Sequence, residues 1–276
     1  MLRAKLSGVL SCLLPLTLAA LLSACSSTPD DPTAKMKPEE ILEQAREEVR
    51  NFQYTQAVTL FEKLEGRAAG TPLAQQAQLE KAYAQYKDDQ SAQAVATLDR
   101  FMRLHPASPA IDYALYLKGL VNFNDDLGLF SFITRQDLSE RDQLAAKESW
   151  SAFNELVTRF PDSRYSADAR ARMVYIVNTL ARYEVHVARY YFKRGAYVAA
   201  INRAQQAVAD YRTAPALEDA LQILVDSYEA LNMPQLRDDA RRVLATNFPN
   251  SAYLKGVKVS ADEAPKAPDS PWWKLW

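Results

Sequence analysis

The chain predicts an all-α fold, an α-solenoid of about five helical hairpins with an insertion in the third. Two observations carry that expectation. Small, small and large residues recur in a frame of 37 residues, which an ordinary helical bundle does not require. The 276 residues are 48% hydrophobic and 24% charged with only 7 Gly, which excludes disorder, collagen-like repeats and a polytopic membrane protein. Lys and Arg number 33 against 34 Asp and Glu, so no global positive field recommends nucleic acid as a partner. Cys12 and Cys25 both lie near the N-terminus, leaving the body without a thiol framework for zinc or disulfides.

Taken in order, residues 1–24 read as an export signal. Arg3 and Lys5 precede an apolar run from Leu6 to Leu22, broken only by Ser11, Pro15 and Thr17. A membrane-spanning anchor is the competing reading, for which the run is at the lower limit of length and carries a proline. Leu22-Ser23-Ala24-Cys25 resembles the bacterial lipobox, which implies cleavage before Cys25, diacylglycerol on its thiol and an N-acyl chain on the new terminus. Each buried methylene adds about 0.8 kcal/mol of membrane affinity, so several chains together form a durable anchor. No cofactor beyond these lipids is expected. Ser26 stands where lipoproteins kept in the inner membrane typically carry Asp, which implies the inner leaflet of the outer membrane, on its periplasmic face. Residues 25–37, rich in Ser, Thr, Pro and Asp, read as a flexible tether.

The body divides into an N-terminal half, 38–163, and a C-terminal half, 164–254. Ala45, Ala57, Phe61 and Leu64 set the frame, small where antiparallel helices cross and large in the groove. Ala82, Ala94, Leu98 and Phe101 repeat it 37 residues on, and Pro106 closes that helix. Gly119 opens a third copy whose second helix, with Ser149, Phe153, Leu156 and Pro161, arrives late, placing an insertion at about 124–143. A fourth copy has Ala188, Gly195, Ala200 and Ala204, and a fifth has Val225, Asn232, Arg237, Arg241, Leu244 and Pro249. The gap before the fourth copy is filled by lengthening the helix around Asp168 to Arg182. The placement of small and large residues is that of tetratricopeptide repeats, in a longer period. Residues 255–276 form a Pro-containing flexible tail ending Trp272-Trp273-Lys274-Leu275-Trp276, which reads as an anchor to the membrane interface or a partner, a segment docking in the chain's own groove, or a passive end.

No catalytic residue and no metal ligand is expected. His105 and His186 are the only histidines and neither has a second ligand at helical spacing. Nucleotide-binding, hydrolase and zinc-protease signatures are absent, and acid pairs such as Asp88-Asp89 and Asp238-Asp239 read as solvated helix ends. The sequence does carry aromatic and basic surface. Tyr83, Tyr86, Tyr113 and Tyr116 form one group and Tyr183, Tyr190, Tyr191 and Tyr197 another, mostly on the first helices of repeats. Arg100, Arg103 and Lys118 accompany the first, and Arg182, Arg189, Arg194 and Arg203 the second. A tyrosine-lined groove suits peptide binding, since the rings supply area at low entropic cost and the hydroxyls bond to backbone. The competing reading is that half of these rings fill gaps between helices.

The block from Leu98 to Leu120, with Ser139 to Tyr165 and Leu180 to Arg203, resembles the BamD family, lipoproteins of the β-barrel assembly (Bam) machinery. With the lipobox the resemblance runs from about Cys25 to Tyr253. It implies a non-enzymatic scaffold whose C-terminal half docks on a periplasmic POTRA domain of BamA. The N-terminal half then receives the targeting signals of unfolded outer-membrane β-barrel proteins, with other Bam lipoproteins as further partners. By position, the Asn202-Arg203 turn matches the motif whose arginine faces BamA, so Arg203, Tyr197 and Arg194 are the expected docking residues. Tyr83, Tyr86, Tyr113 and Tyr116 match the signal groove, edged by Arg100, Arg103 and Lys118, which suits a signal ending in an aromatic residue and a free carboxylate. The family's aromatic-proline turn after the first repeat is here Gly66-Arg67-Ala68-Ala69-Gly70-Thr71-Pro72-Leu73, a departure at the signal pocket. A periplasmic repeat lipoprotein serving peptidoglycan enzymes is the alternative reading.

Overall fold

The computed structural model describes residues 32–123 and 140–256, with the side chains of 140–142 excepted. Cys25, most of the insertion expected at 124–143 and the tail with its tryptophans lie outside the described residues. The described chain is helical, in ten α-helices with two short 3₁₀ turns and no strand among them. We number the helices α1 Pro38–Arg50, α2 Tyr54–Arg67, α3 Pro72–Lys87, α4 Ser91–Leu104, α5 Ile111–Asn122, α6 Glu140–Arg159, α7 Ser166–Lys193, α8 Tyr197–Asp210, α9 Leu217–Ala230 and α10 Pro234–Asn247. They succeed one another as five hairpins. None is long and apolar enough to cross a membrane.

The helices fall into two compact units, one ending at Ala77 and the other beginning at Gln78. In the first, α1 starts at Pro38, whose missing N–H is no loss in a first turn, and Glu40 accepts the Lys37 backbone N–H at 2.8 Å. Ile41 and Ala45 on α1 meet Ala57, Phe61 and Leu64 on α2, all inaccessible to solvent. Arg67, at the end of α2, donates to the carbonyls of Thr33 and Met36 and so ties the preceding 3₁₀ turn to this hairpin. The departure at 66–73 is therefore a helix end, a short turn and the start of α3, with Gly70 at φ +80°.

In the second unit one core runs without interruption from Leu79 to Leu244. The repeat frame is what fills it. Ala82, Ala94, Leu98 and Phe101 are buried, as are Phe153, Leu156, Ala188, Ala200 and Ala204. Buried Thr97 on α4 donates to Gln85 on α3 at 2.9 Å, closing the second hairpin. At Gly119 on α5 an added Cβ would stand 2.3 Å from the Phe153 ring of α6, and Ser149 donates to the Gly119 carbonyl at 2.8 Å. Only glycine permits that approach. α6 begins at Glu140, so the last residues of the expected insertion already belong to the helix. α7 is the long helix of the fold, 28 residues, and both α8 and α9 pack on it.

Two expectations need correction. Arg237 and Arg241 do not occupy the core frame of the fifth copy; Ala240 and Leu244 do, while Met233, Leu236 and Val243 face solvent. α10 is the last described α-helix, and it packs on α9 through a narrow stripe. Asn202 and Arg203 are not in a loop turn but within α8.

One device recurs between the helices of the hairpins. Phe52, Asp89, Gly195 and Asn232 all adopt left-handed backbone, with φ of 59°, 57°, 73° and 55°. In each case the following N–H bonds a carbonyl five residues back, as in Gln53 to Glu48 at 2.8 Å and Met233 to Tyr228 at 2.9 Å. This is the Schellman closure, which satisfies the orphan carbonyls at a helix end. Glycine fits it freely, and Phe52, 77% exposed, does so at a steric cost.

Candidate functional site

Two of the tyrosines expected on the N-terminal groove, Tyr113 and Tyr116, converge in the second unit on a residue outside that set. The turn between α6 and α7 is fixed on itself and on α5. Ser166 donates its hydroxyl to the Phe160 carbonyl at 2.7 Å, and Ser163 donates to Asp112 Oδ2 at 2.7 Å, while Asp112 Oδ1 accepts the Tyr113 N–H at 2.7 Å. That clasp presents Tyr165 to α5. Its ring stacks on Tyr116 at 4.7 Å and 18°, and lies 5.6 Å from Tyr113. Tyr83, exposed on α3, is close enough to Tyr113 to influence its ionisation. Tyr86 instead packs on the core, with Lys87 5.9 Å from its ring.

The electrostatics keep the phenols of Tyr113 and Tyr116 protonated. Burial, then the neighbouring Tyr165, Tyr83 and Glu80, push Tyr113 up to about 12. Burial and the hydrogen bond to Asp168 raise Tyr116 to about 12 as well. The Tyr116 hydroxyl donates to Asp168 Oδ2 at 2.7 Å, and the same oxygen accepts Arg172 Nε at 2.6 Å. Arg172 also lies 4.7 Å from the Phe123 ring. At neutral pH the cluster thus offers hydroxyl donors and ring faces.

The cations expected along this edge are differently placed. Lys118 is committed to Asp99 on α4, Nζ to Oδ1 at 2.6 Å. Arg100 is half-buried and engaged within the chain, and Arg103 is exposed at the end of α4. Arg172 is held by Asp168, and the other cation beside the rings is Arg164, whose guanidinium lies 4.7 Å from the Tyr165 ring and donates to its hydroxyl. Neither Arg164 nor Tyr165 had a pattern to mark it as part of the groove. Tyr165 reaches Tyr116 from 49 residues away by way of a turn, and no period connects them.

The expected docking residues of the C-terminal half form two places. Arg203 on α8 lies 3.2 Å from Glu184 on α7; its side chain is 45% exposed, that of Glu184 only 7%. Burial, then Glu184 and Asp210, raise Tyr211 to about 12. Arg194 caps α7, its guanidinium 4.6 Å from the Tyr190 ring, and Tyr197 packs on Phe192 at 5.5 Å. About 15 Å of helix separates Glu184 from Arg194 along α7. Arg203 is therefore not brought to Arg194. Arg189, one of the cations marked beside the second tyrosine group, is committed elsewhere: on α7 it pairs with Asp219 on α9 at 2.8 Å, and the Tyr253 hydroxyl donates to the same carboxylate, holding the last 3₁₀ turn. Burial and that bond drive the Tyr253 phenol well above its ordinary range.

Residues 34–244 match a family described as YfiO, outer membrane lipoprotein. A Neisseria meningitidis serogroup B protein named outer membrane protein assembly factor BamD is 46% identical over 269 residues, 96% of this chain and 98% of that protein. The protein of the same name from Xylella fastidiosa is 36% identical over 223 residues, 81% of this chain and 76% of that protein. Among solved structures, a kinesin light chain from Podosopora anserina with TPR-like repeats aligns at TM-score 0.38 and 16% identity, covering 78% of this chain and 100% of its own.

Proposed function

The chain belongs to the YfiO (BamD) family of outer membrane lipoproteins, and we propose that it is a non-enzymatic scaffold of the β-barrel assembly machinery. Acyl chains on Cys25 hold it on the inner leaflet of the outer membrane, facing the periplasm. The α7–α8 region, through Arg203, Tyr197 and Arg194, docks on a POTRA domain of BamA. The tyrosine cluster of α3, α5 and the α6–α7 turn takes the targeting signals of unfolded outer-membrane β-barrel proteins. Other Bam lipoproteins are its neighbours.

The observation that carries this reading is the extent of the match: a relative named as an outer membrane protein assembly factor aligns with 96% of the chain. The protonated phenols around Tyr165 support the signal-binding role, because a hydroxyl-lined aromatic groove suits an extended peptide.

The test is a titration of the full lipidated chain, in detergent, against the POTRA array of BamA from the same organism. Arg203→Gln alone leaves Glu184 without its partner, so Glu184→Gln/Arg203→Gln is measured beside it. We expect the double variant to bind at least tenfold more weakly than wild type while unfolding at the wild-type midpoint. Equal affinity moves the interface away from Arg203. No binding by the wild type removes BamA as the partner.

A further inference from the structure

A signal that ends in a free carboxylate needs a cation at the end of the groove, and the arrangement of charges narrows the choice. Lys118 is held by Asp99 at 2.6 Å, Arg100 is engaged within the chain, and Arg103 sits exposed at the end of α4. Arg164 is exposed, forms no ion pair with a carboxylate among the described residues, and belongs to the tyrosine cluster. Its guanidinium is oriented by the Tyr165 ring at 4.7 Å and by a bond to that phenol. A guanidinium stacked on an aromatic face retains in-plane N–H groups for a carboxylate, and its fork matches both oxygens at once.

We propose that Arg164 receives the C-terminal carboxylate of an aromatic-ended peptide whose last ring lies against Tyr113 and Tyr165. The inference rests on the signal-groove reading given above and assigns the residue that reads the end group. The receptor is organised before the ligand arrives. Ser163 and Ser166 lock the turn to Asp112 and Phe160, so Arg164 and Tyr165 project from a fixed base. The Tyr113 hydroxyl, which donates to no protein group among the described residues, supplies a second donor. Asp112 is the acidic group that acts on Arg164. Its oxygens already accept the Ser163 hydroxyl and the Tyr113 N–H, so it does not occupy the guanidinium. Its negative charge also opposes an incoming anion, so the net preference for a carboxylate measures Arg164 against Asp112.

The experiment uses the full chain in detergent and a fluorescent decapeptide ending in phenylalanine, prepared as the free acid and as the C-terminal amide, with affinity read by anisotropy. Wild type is expected to prefer the acid three- to tenfold, the scale of one charge-assisted, partly solvated pair. Arg164→Gln should bring the acid down to the level of the amide and leave the amide unchanged. Arg164→Lys should keep part of the preference, Lys118→Gln should keep all of it, and Tyr165→Ala should weaken both peptides. A wild type that binds acid and amide equally, or an Arg164→Gln variant that retains the preference, overturns the assignment of Arg164 while the groove stands. A wild type that binds neither peptide overturns the groove and the assignment with it.

Discussion

Arg164 and Arg203 are both solvent-exposed arginines of the same compact unit, yet they are wired differently. Arg164 leans on the Tyr165 ring and meets no carboxylate in bonding contact, whereas Arg203 lies 3.2 Å from Glu184, a carboxylate whose side chain is 7% exposed. Removing the second cation strands an acid inside the protein, and removing the first strands nothing. What lies under an exposed arginine thus decides whether its loss is felt by the fold as well as by a partner. The largest effect that can sharpen this contrast involves no charge at all. Gly119→Ala forces a Cβ to within 2.3 Å of the Phe153 ring, on the seam that supports Tyr116. It should cost about 2–3 kcal/mol in chemical denaturation and lower the affinity for peptides, by displacing the tyrosines, with Arg164 untouched.

Arg203→Glu is the next largest, since it sets a second carboxylate against Glu184. A loss of about 1–2 kcal/mol is expected, moderated because the arginine is half in solvent, and Glu184→Gln should recover most of it. Arg164→Glu is the paired measurement; it sets an exposed carboxylate near Asp112, and its unfolding midpoint should fall far less than that of Arg203→Glu. If both reversals destabilise alike, the contrast fails.

Tyr116→Phe removes the bond to Asp168 and should cost about 1 kcal/mol at neutral pH. The same substitution reports on pH. A phenol raised from its ordinary value near 10 to about 12 in the folded protein contributes stability that is complete below pH 10 and disappears as the pH climbs through 12. The variant should therefore lose stability less steeply than wild type between these values, and one late-titrating tyrosine should vanish from the ultraviolet absorbance. An unaltered titration would separate Tyr116 from the cluster's electrostatics.

The repeat frame was legible because packing has a period. Ala57, Phe61 and Leu64 can be read against Ala94, Leu98 and Phe101, and all six are buried. The fifth copy broke the rule because a fixed period carries the frame to Arg237 and Arg241, while the local stripe of Ala240 and Leu244 follows α9, the helix on which α10 packs. The tyrosines of α5 could be marked from sequence, and what completes them could not. Tyr165 arrives through a turn clasped by Ser163 and Asp112, and Lys118 was lost to Asp99 across the α4–α5 connection. Such side-chain partnerships have no spacing to betray them.

The left-handed turns extend the matter to how the repeat is counted. Phe52, Asp89, Gly195 and Asn232 share one backbone state and almost no chemistry, so the shape of the chain at that point is kept while its letters drift. Phe52→Gly should stabilise the first hairpin by roughly 0.5–1 kcal/mol, the relief of crowding at Cβ less the added freedom of the unfolded chain. Backbone handedness is then a punctuation mark, and a solenoid whose residues have diverged beyond recognition could still be parsed, hairpin by hairpin, from where its chain turns left.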